Sequence, residues 1–169
     1  MSIYTERKTG TADLTKTAVL LGLALLFQIG FSSFAQPVVG PLVNMVLVMT
    51  VLTVSPGAAV IIGCLTPAAA FMLGIMPLAP ALPVIMLGTS SLVLVFHRLY
   101  QRSQWLAILA GATAKFTVMA LLIRILAYGF FPGLPAPLIA TFTLPQLYTA
   151  LAGGAMALII TRHLPDLRK

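Results

Sequence analysis

Residues 40–99 read GPLVNMVLVMTVLTV, SPG, AAVIIGCLTPAAAFMLGIMP, LAPALP and VIMLGTSSLVLVFHRL, with no Lys, Arg, Asp or Glu before Arg98. A helix of about twenty apolar residues crosses a bilayer core, so this stretch holds material for three spans. Its punctuation falls where three spans need it. Ser55-Pro56-Gly57 is a run of turn formers. Pro77, Pro80 and Pro83 make a stiff extended connection, because proline fixes φ and lacks an N–H. The stretch therefore predicts a helical hairpin with a minimal loop at one membrane face and a proline-rich bridge at the other.

Working outward, apolar runs predict spans at Thr15–Phe31, Gly40–Val54, Gly57–Ile75, Pro83–Phe96, Trp105–Phe130 and Pro145–Arg162. The expected fold is all-α, a polytopic membrane protein with six transmembrane helices in one compact bundle over residues 15–164. A polar tail (1–14) and a short basic tail (165–169) flank it. Composition agrees: of 169 residues 60% are hydrophobic and only 8% charged, against about a quarter charged in soluble domains. No cleavage-site pattern or hydrophilic mature domain follows the first apolar run, so it reads as a span rather than a removable signal peptide.

The net charge of +7 sits in clusters at span ends rather than in a stripe interleaved with aromatics, which argues against nucleic acid as a partner. Arg7, Lys8 and Lys16 precede span one, Arg98 and Arg102 separate spans four and five, and Arg162, Arg168 and Lys169 follow span six. The connections 32–39, 76–82 and 131–144 hold no Lys or Arg. Positive residues accumulate on the cytoplasmic side, so both termini are expected there, in a cell membrane.

The chemistry available is sparse. Glu6, Asp13 and Asp166 are the only acids, all outside the spans. Ion-coupled pumps commonly use intramembrane carboxylates as relays, so a self-powered carboxylate pump is not expected. His97 and His163 sit at span boundaries with no acid to orient them, Cys64 is alone, and no phosphate-cradling loop or metal motif is present. An enzyme is not expected, nor a catalytic residue, metal or cofactor.

Two cations do fall within a span. Lys115 and Arg124 are nine residues apart, which at 3.6 residues per turn puts them on opposite faces, about 13 Å apart in depth. Lys115 is near mid-depth without an acid and must find carbonyls, hydroxyls, water or a ligand anion. Arg124 either serves a ligand or snorkels to the interface. Neutral polar residues form an outer layer (Gln28, Gln36, Asn44, Thr143, Gln146, Tyr148) and a middle one (Thr50, Thr66, Thr89, Ser90, Ser91). Isolated membrane hydroxyls usually back-bond their own helix. The amides of Asn44 and Gln146 need partners, and suit the walls of an outward-opening pocket with Lys115 at its floor. Candidate substrate-binding residues are thus Asn44, Lys115, Gln146, Arg124, Thr89 and Gln28.

Small residues four apart let helices approach closely. Ala18-x-x-x-Gly22 in span one forms one such face, for packing or a partner. Thr149, Gly153 and Ala157 form a second in span six. Thr66-Pro67 within span three predicts a freed carbonyl that a neighbour must satisfy.

The short spans, the small-residue first span, GPLVNMVLVMTVLTVSPGAAVIIGCLTPAAAFMLGIMP, PVIMLGTSSLVLVF and QLYTALAGG resemble the S components of energy-coupling factor (ECF) transporters. The likeness runs from about Leu14 to Leu164. It implies high-affinity binding of a vitamin or related micronutrient in the outer half. It also implies association with a scaffold membrane subunit and two ATP-binding subunits, besides membrane lipid. The family's Ala-x-x-x-Ala scaffold-facing motif corresponds to Ala18-x-x-x-Gly22. Gly88-Thr89 stands where Gly-Asn is usual in this group. The competing expectation is a small multi-pass scaffold protein without a small-molecule ligand.

Overall fold

Every element of the computed structural model, which describes residues 10–31, 36–76 and 79–163, is helical. The terminal charges at 1–9 and 164–169, Ser33, Pro77 and the side chain of Gln36 lie outside the described set. Helix α1 (Thr11–Leu25) runs on through a π-helical turn (Leu26–Gly30). Helices α2 (Gln36–Thr53), α3 (Pro56–Met72) and α4 (Ala81–Leu99) follow. Helix α5 (Gln104–Ile125) also ends in a π turn (Leu126–Phe130), and a short α6 (Ala136–Thr141) leads into α7 (Leu144–His163).

Local chemistry explains the boundaries. The hydroxyl of Ser55 caps α3 by accepting the amide of Ala58 at 3.1 Å, with Pro56 at the first helical position, where a missing N–H costs nothing. Only Val54 and Ser55 therefore separate α2 from α3. Ser103 caps α5 in the same way, through the amide of Leu106. Gly74 ends α3 with φ of +71°, a conformation glycine adopts without steric cost. Two expectations need adjusting. Residues 11–14, read as polar tail, form the first turn of α1, where Asp13 suits the positive end of the helix. The connection 131–144, read as a loop, contains α6, whose Pro137 lies in the first turn that tolerates proline.

Helices α2, α3, α4, α5 and α7 neighbour one another in a closed circuit, with α1 leaning on α2 and α3 and α6 touching α5 and α7. Helix α2 is buried on every side from Asn44 to Val51, as an apolar helix without a polar face must be to sit at the centre of a bundle. Its crossing with α7 is set by glycine. A Cβ at Gly153 would lie 2.8 Å from Asn44 Cβ and Met45 N and would strike the Pro41 carbonyl; one at Gly40 would lie 2.7 Å from Thr149 Cγ2. The small-residue row on α7 is thus an internal packing surface. The row on α1 is different: Ala18 and Gly22 are both exposed.

Large apolar side chains also cover much of the exterior. Ile61, Leu87, Leu94, Leu109, Leu121 and Ile159 are each more than half exposed, which suits contact with lipid rather than water. Four helical stretches, Thr11–Gly30, Ala81–Leu99, Gln104–Phe130 and Ala136–His163, are long and apolar enough to cross a membrane, and two shorter apolar helices cover 37–53 and 56–72.

Candidate functional site: a polar cavity at one end of the bundle

Where α1 ends, α2 and α7 begin and α3 gives way to its connection, the helices diverge around a cavity of about 310 Å³. It lies at the end opposite Arg98, Arg102 and Arg162, since α4 and α7 finish there and α5 starts there. Five of the six candidate substrate-binding residues line it: Gln28, Asn44, Thr89, Lys115 and Gln146. Arg124 does not; it is exposed on the opposite face of α5. The nine-residue spacing separates the two cations, and the packing of α5 against α4 and α7 turns Lys115 inward.

Lys115 is the buried charge at the centre of the site, only 4% exposed. Its Nζ donates to Asn44 Oδ1 at 2.7 Å. A second, longer contact runs from Asn44 Nδ2 to Thr149 Oγ1 at 3.5 Å, and Thr149 in turn donates to the Gln146 carbonyl at 3.2 Å. The Gln146 side chain reaches across to α6, its Nε2 donating to the Thr141 carbonyl at 3.0 Å. Four helices are thus joined by one polar chain inside an apolar bundle. Buried polar groups that are fully partnered stiffen a core and fix its register. Among the described residues no buried side-chain nitrogen or oxygen lacks a partner. The only described acid, Asp13, sits in the first turn of α1, so Lys115 has no carboxylate partner among the described residues.

Glycine leaves room beside the lysine. A Cβ on Gly88 would come within 2.6 Å of Met119 Sδ and 3.7 Å of Lys115 Cγ, so the Met119 side chain keeps its place against α4 because Gly88 has none. Thr89 answers the demand created by Pro67. Proline cannot donate to the carbonyl four residues back, Gly63, and Thr89 Oγ1 stands 3.3 Å from that oxygen. The same hydroxyl is 2.9 Å from the Ile85 carbonyl and 3.1 Å from that of Met86, so one proton is shared among three acceptors.

Several wall residues carry no signal in the sequence. Ile75 and Met76 come from the connection after α3, and Leu138, Thr141 and Phe142 from α6 and just beyond it. Ile75 reads as the last residue of span three and the others as loop, and each has an apolar or hydroxyl side chain that resembles dozens of others in the chain. The proline-rich punctuation of 132–137 was the one available hint that this connection is structured. No cluster of His, Cys, Asp and Glu capable of holding a metal occurs among the described residues.

No protein-family model, curated protein or solved structure matches the chain. The site's own chemistry therefore bears the functional reading. It offers one ammonium, three amides and hydroxyls over apolar walls, which is equipment for binding and orienting a small molecule. A nucleophile paired with an oriented base is not among the described lining residues.

Proposed function

We propose that this chain is the S component of an ECF-type importer: the high-affinity binding subunit for a vitamin or related micronutrient, energised by a separate scaffold subunit and two ATP-binding subunits. The observation that carries the reading is the 310 Å³ cavity with Asn44, Lys115 and Gln146 converging on it in an otherwise apolar bundle. A protein serving only as a scaffold has no use for a buried lysine beside a cavity, and desolvating such a charge is costly. In this reading α1–α5 and α7 make six crossings, both termini are cytoplasmic, and the cavity opens outward, away from the basic helix ends. At 1.5 Å per residue, the 18 residues of α2 and 17 of α3 extend roughly 25–27 Å, close to a hydrocarbon core of about 30 Å. The exposed Ala18/Gly22 face of α1 is where the scaffold subunit docks, because small residues there admit a close helix crossing.

Replacing Ala18 and Gly22 together by leucine tests the assembly. The variant should fold and keep its bound small molecule, yet fail to co-purify with co-expressed scaffold and ATP-binding subunits of the same organism. Intact assembly of the doubly substituted chain would remove the docking role from this face. Orientation is read separately. With Cys64 replaced, single cysteines at Ala79 and Gly133 should react with an impermeant thiol reagent from outside intact cells, and labelling only after lysis would reverse the topology.

A further inference from the structure

The charge inventory of the cavity restricts what can occupy it. We infer that the occupant is a small organic monoanion, its single acidic group seated on the Lys115 ammonium and its body uncharged and largely apolar. This deepens the substrate-binding role proposed above and rests on it.

Three observations lead there. Among the described residues Lys115 is the one cationic side chain lining the cavity, and no carboxylate lines it. The ammonium has three protons; Asn44 Oδ1 accepts one at 2.7 Å, leaving two to be met from the cavity side. A cationic occupant would meet repulsion with no carboxylate among the described lining residues to offset it, whereas a dianion would leave its second charge without a cationic partner, facing only neutral amides and hydroxyls and the apolar walls of Val43, Ile75, Leu138 and Phe142. A cavity of about 310 Å³ lies at the small end of the range of about 300–1,000 Å³ for ligand pockets, which suits a small molecule.

The geometry also supplies a discriminating substitution. Asn44→Asp is nearly isosteric and places a carboxylate oxygen where Oδ1 already accepts from Lys115, so the cation is neutralised from within the protein. Full-length wild type, Asn44→Asp and Lys115→Met are expressed side by side and purified into lipid nanodiscs. Bound small molecules are extracted and identified by mass spectrometry. Each protein is then titrated with matched acid and amide pairs, nicotinate with nicotinamide, indole-3-acetate with indole-3-acetamide, and octanoate with octanamide. Wild type should carry, one to one, a molecule that is singly negative at neutral pH, and should prefer acids to their amides. Asn44→Asp should melt no lower than wild type yet lose affinity for the extracted molecule by on the order of thirty- to several-thousand-fold. Lys115→Met should show the same loss, which guards against a folding defect in either variant alone. Recovery of a neutral molecule, a cation or a phospholipid from the cavity would overturn the anion assignment and leave the binding role standing. No extractable molecule, together with no response to any of the pairs at millimolar concentration, would remove the binding role itself and the inference with it.

Discussion

Breaking the contact between Lys115 and Asn44 gives the sharpest test of how this bundle tolerates a buried charge. Asn44→Leu deletes the acceptor 2.7 Å from Nζ. It also deletes the weaker bond to Thr149, but Thr149 keeps the Gln146 carbonyl at 3.2 Å, so the ammonium is the group left stranded. A hydrogen bond to a charged group contributes about 1.5–3 kcal/mol. Water entering the cavity can replace part of it, which sets the expected loss at about 1.5–2 kcal/mol. For a chain of this size that is a drop of about 3–8 °C in melting temperature. Lys115→Met leaves only a neutral amide oxygen facing the cavity and should cost about 1 kcal/mol or less. With both substitutions present no polar group is orphaned, and apolar replacement of a buried polar pair is often neutral or stabilising. The double variant should therefore melt near wild type, with a coupling of about 1.5–3 kcal/mol, the sum of the two single losses. Thermal unfolding of the four ligand-free proteins in one detergent measures the cycle. A double variant that falls by the sum of the two single losses would refute the reasoning, since the two side chains would then be energetically independent.

Two further predictions concern packing and the backbone. Gly153→Val should destabilise by about 1–3 kcal/mol or more, because its Cβ meets backbone and Cβ atoms of α2 that cannot swing aside. Gly22→Ala, with open space around it, should gain about 0.5–1 kcal/mol from helix propensity; equal melting temperatures for the two variants would contradict the α2–α7 crossing. Thr89→Val should cost about 1–2 kcal/mol by withdrawing the donor near the Gly63 carbonyl. Adding Pro67→Ala supplies an N–H to that same carbonyl and should recover most of the loss, whereas an unchanged Thr89→Val penalty in the Pro67→Ala background would show that the loss does not arise at the Gly63 carbonyl.

The all-helical class and the approximate ends of the helices follow from local chemistry. Apolar runs of near-bilayer length, the Ser55-Pro56 start of α3 and the prolines before α4 are signals carried by neighbouring residues, so they can be read without knowing what packs on what. The need for a partner at the Gly63 carbonyl was equally local, because Pro67 alone creates it; its answer was not, since Thr89 lies 26 residues away. The same limit applies to the site. Periodicity places Lys115 and Arg124 on opposite faces of one helix without saying which face meets α2, and small residues at four-residue spacing look alike on α1 and α7. Only the tertiary structure seats Gly153 against Pro41 and leaves Gly22 open, turns Lys115 inward, and joins it to Asn44 across 71 residues and Asn44 to Thr149 across 105. Those choices depend on how whole helix surfaces fit together, a property of pairs of helices that no single stretch of sequence contains.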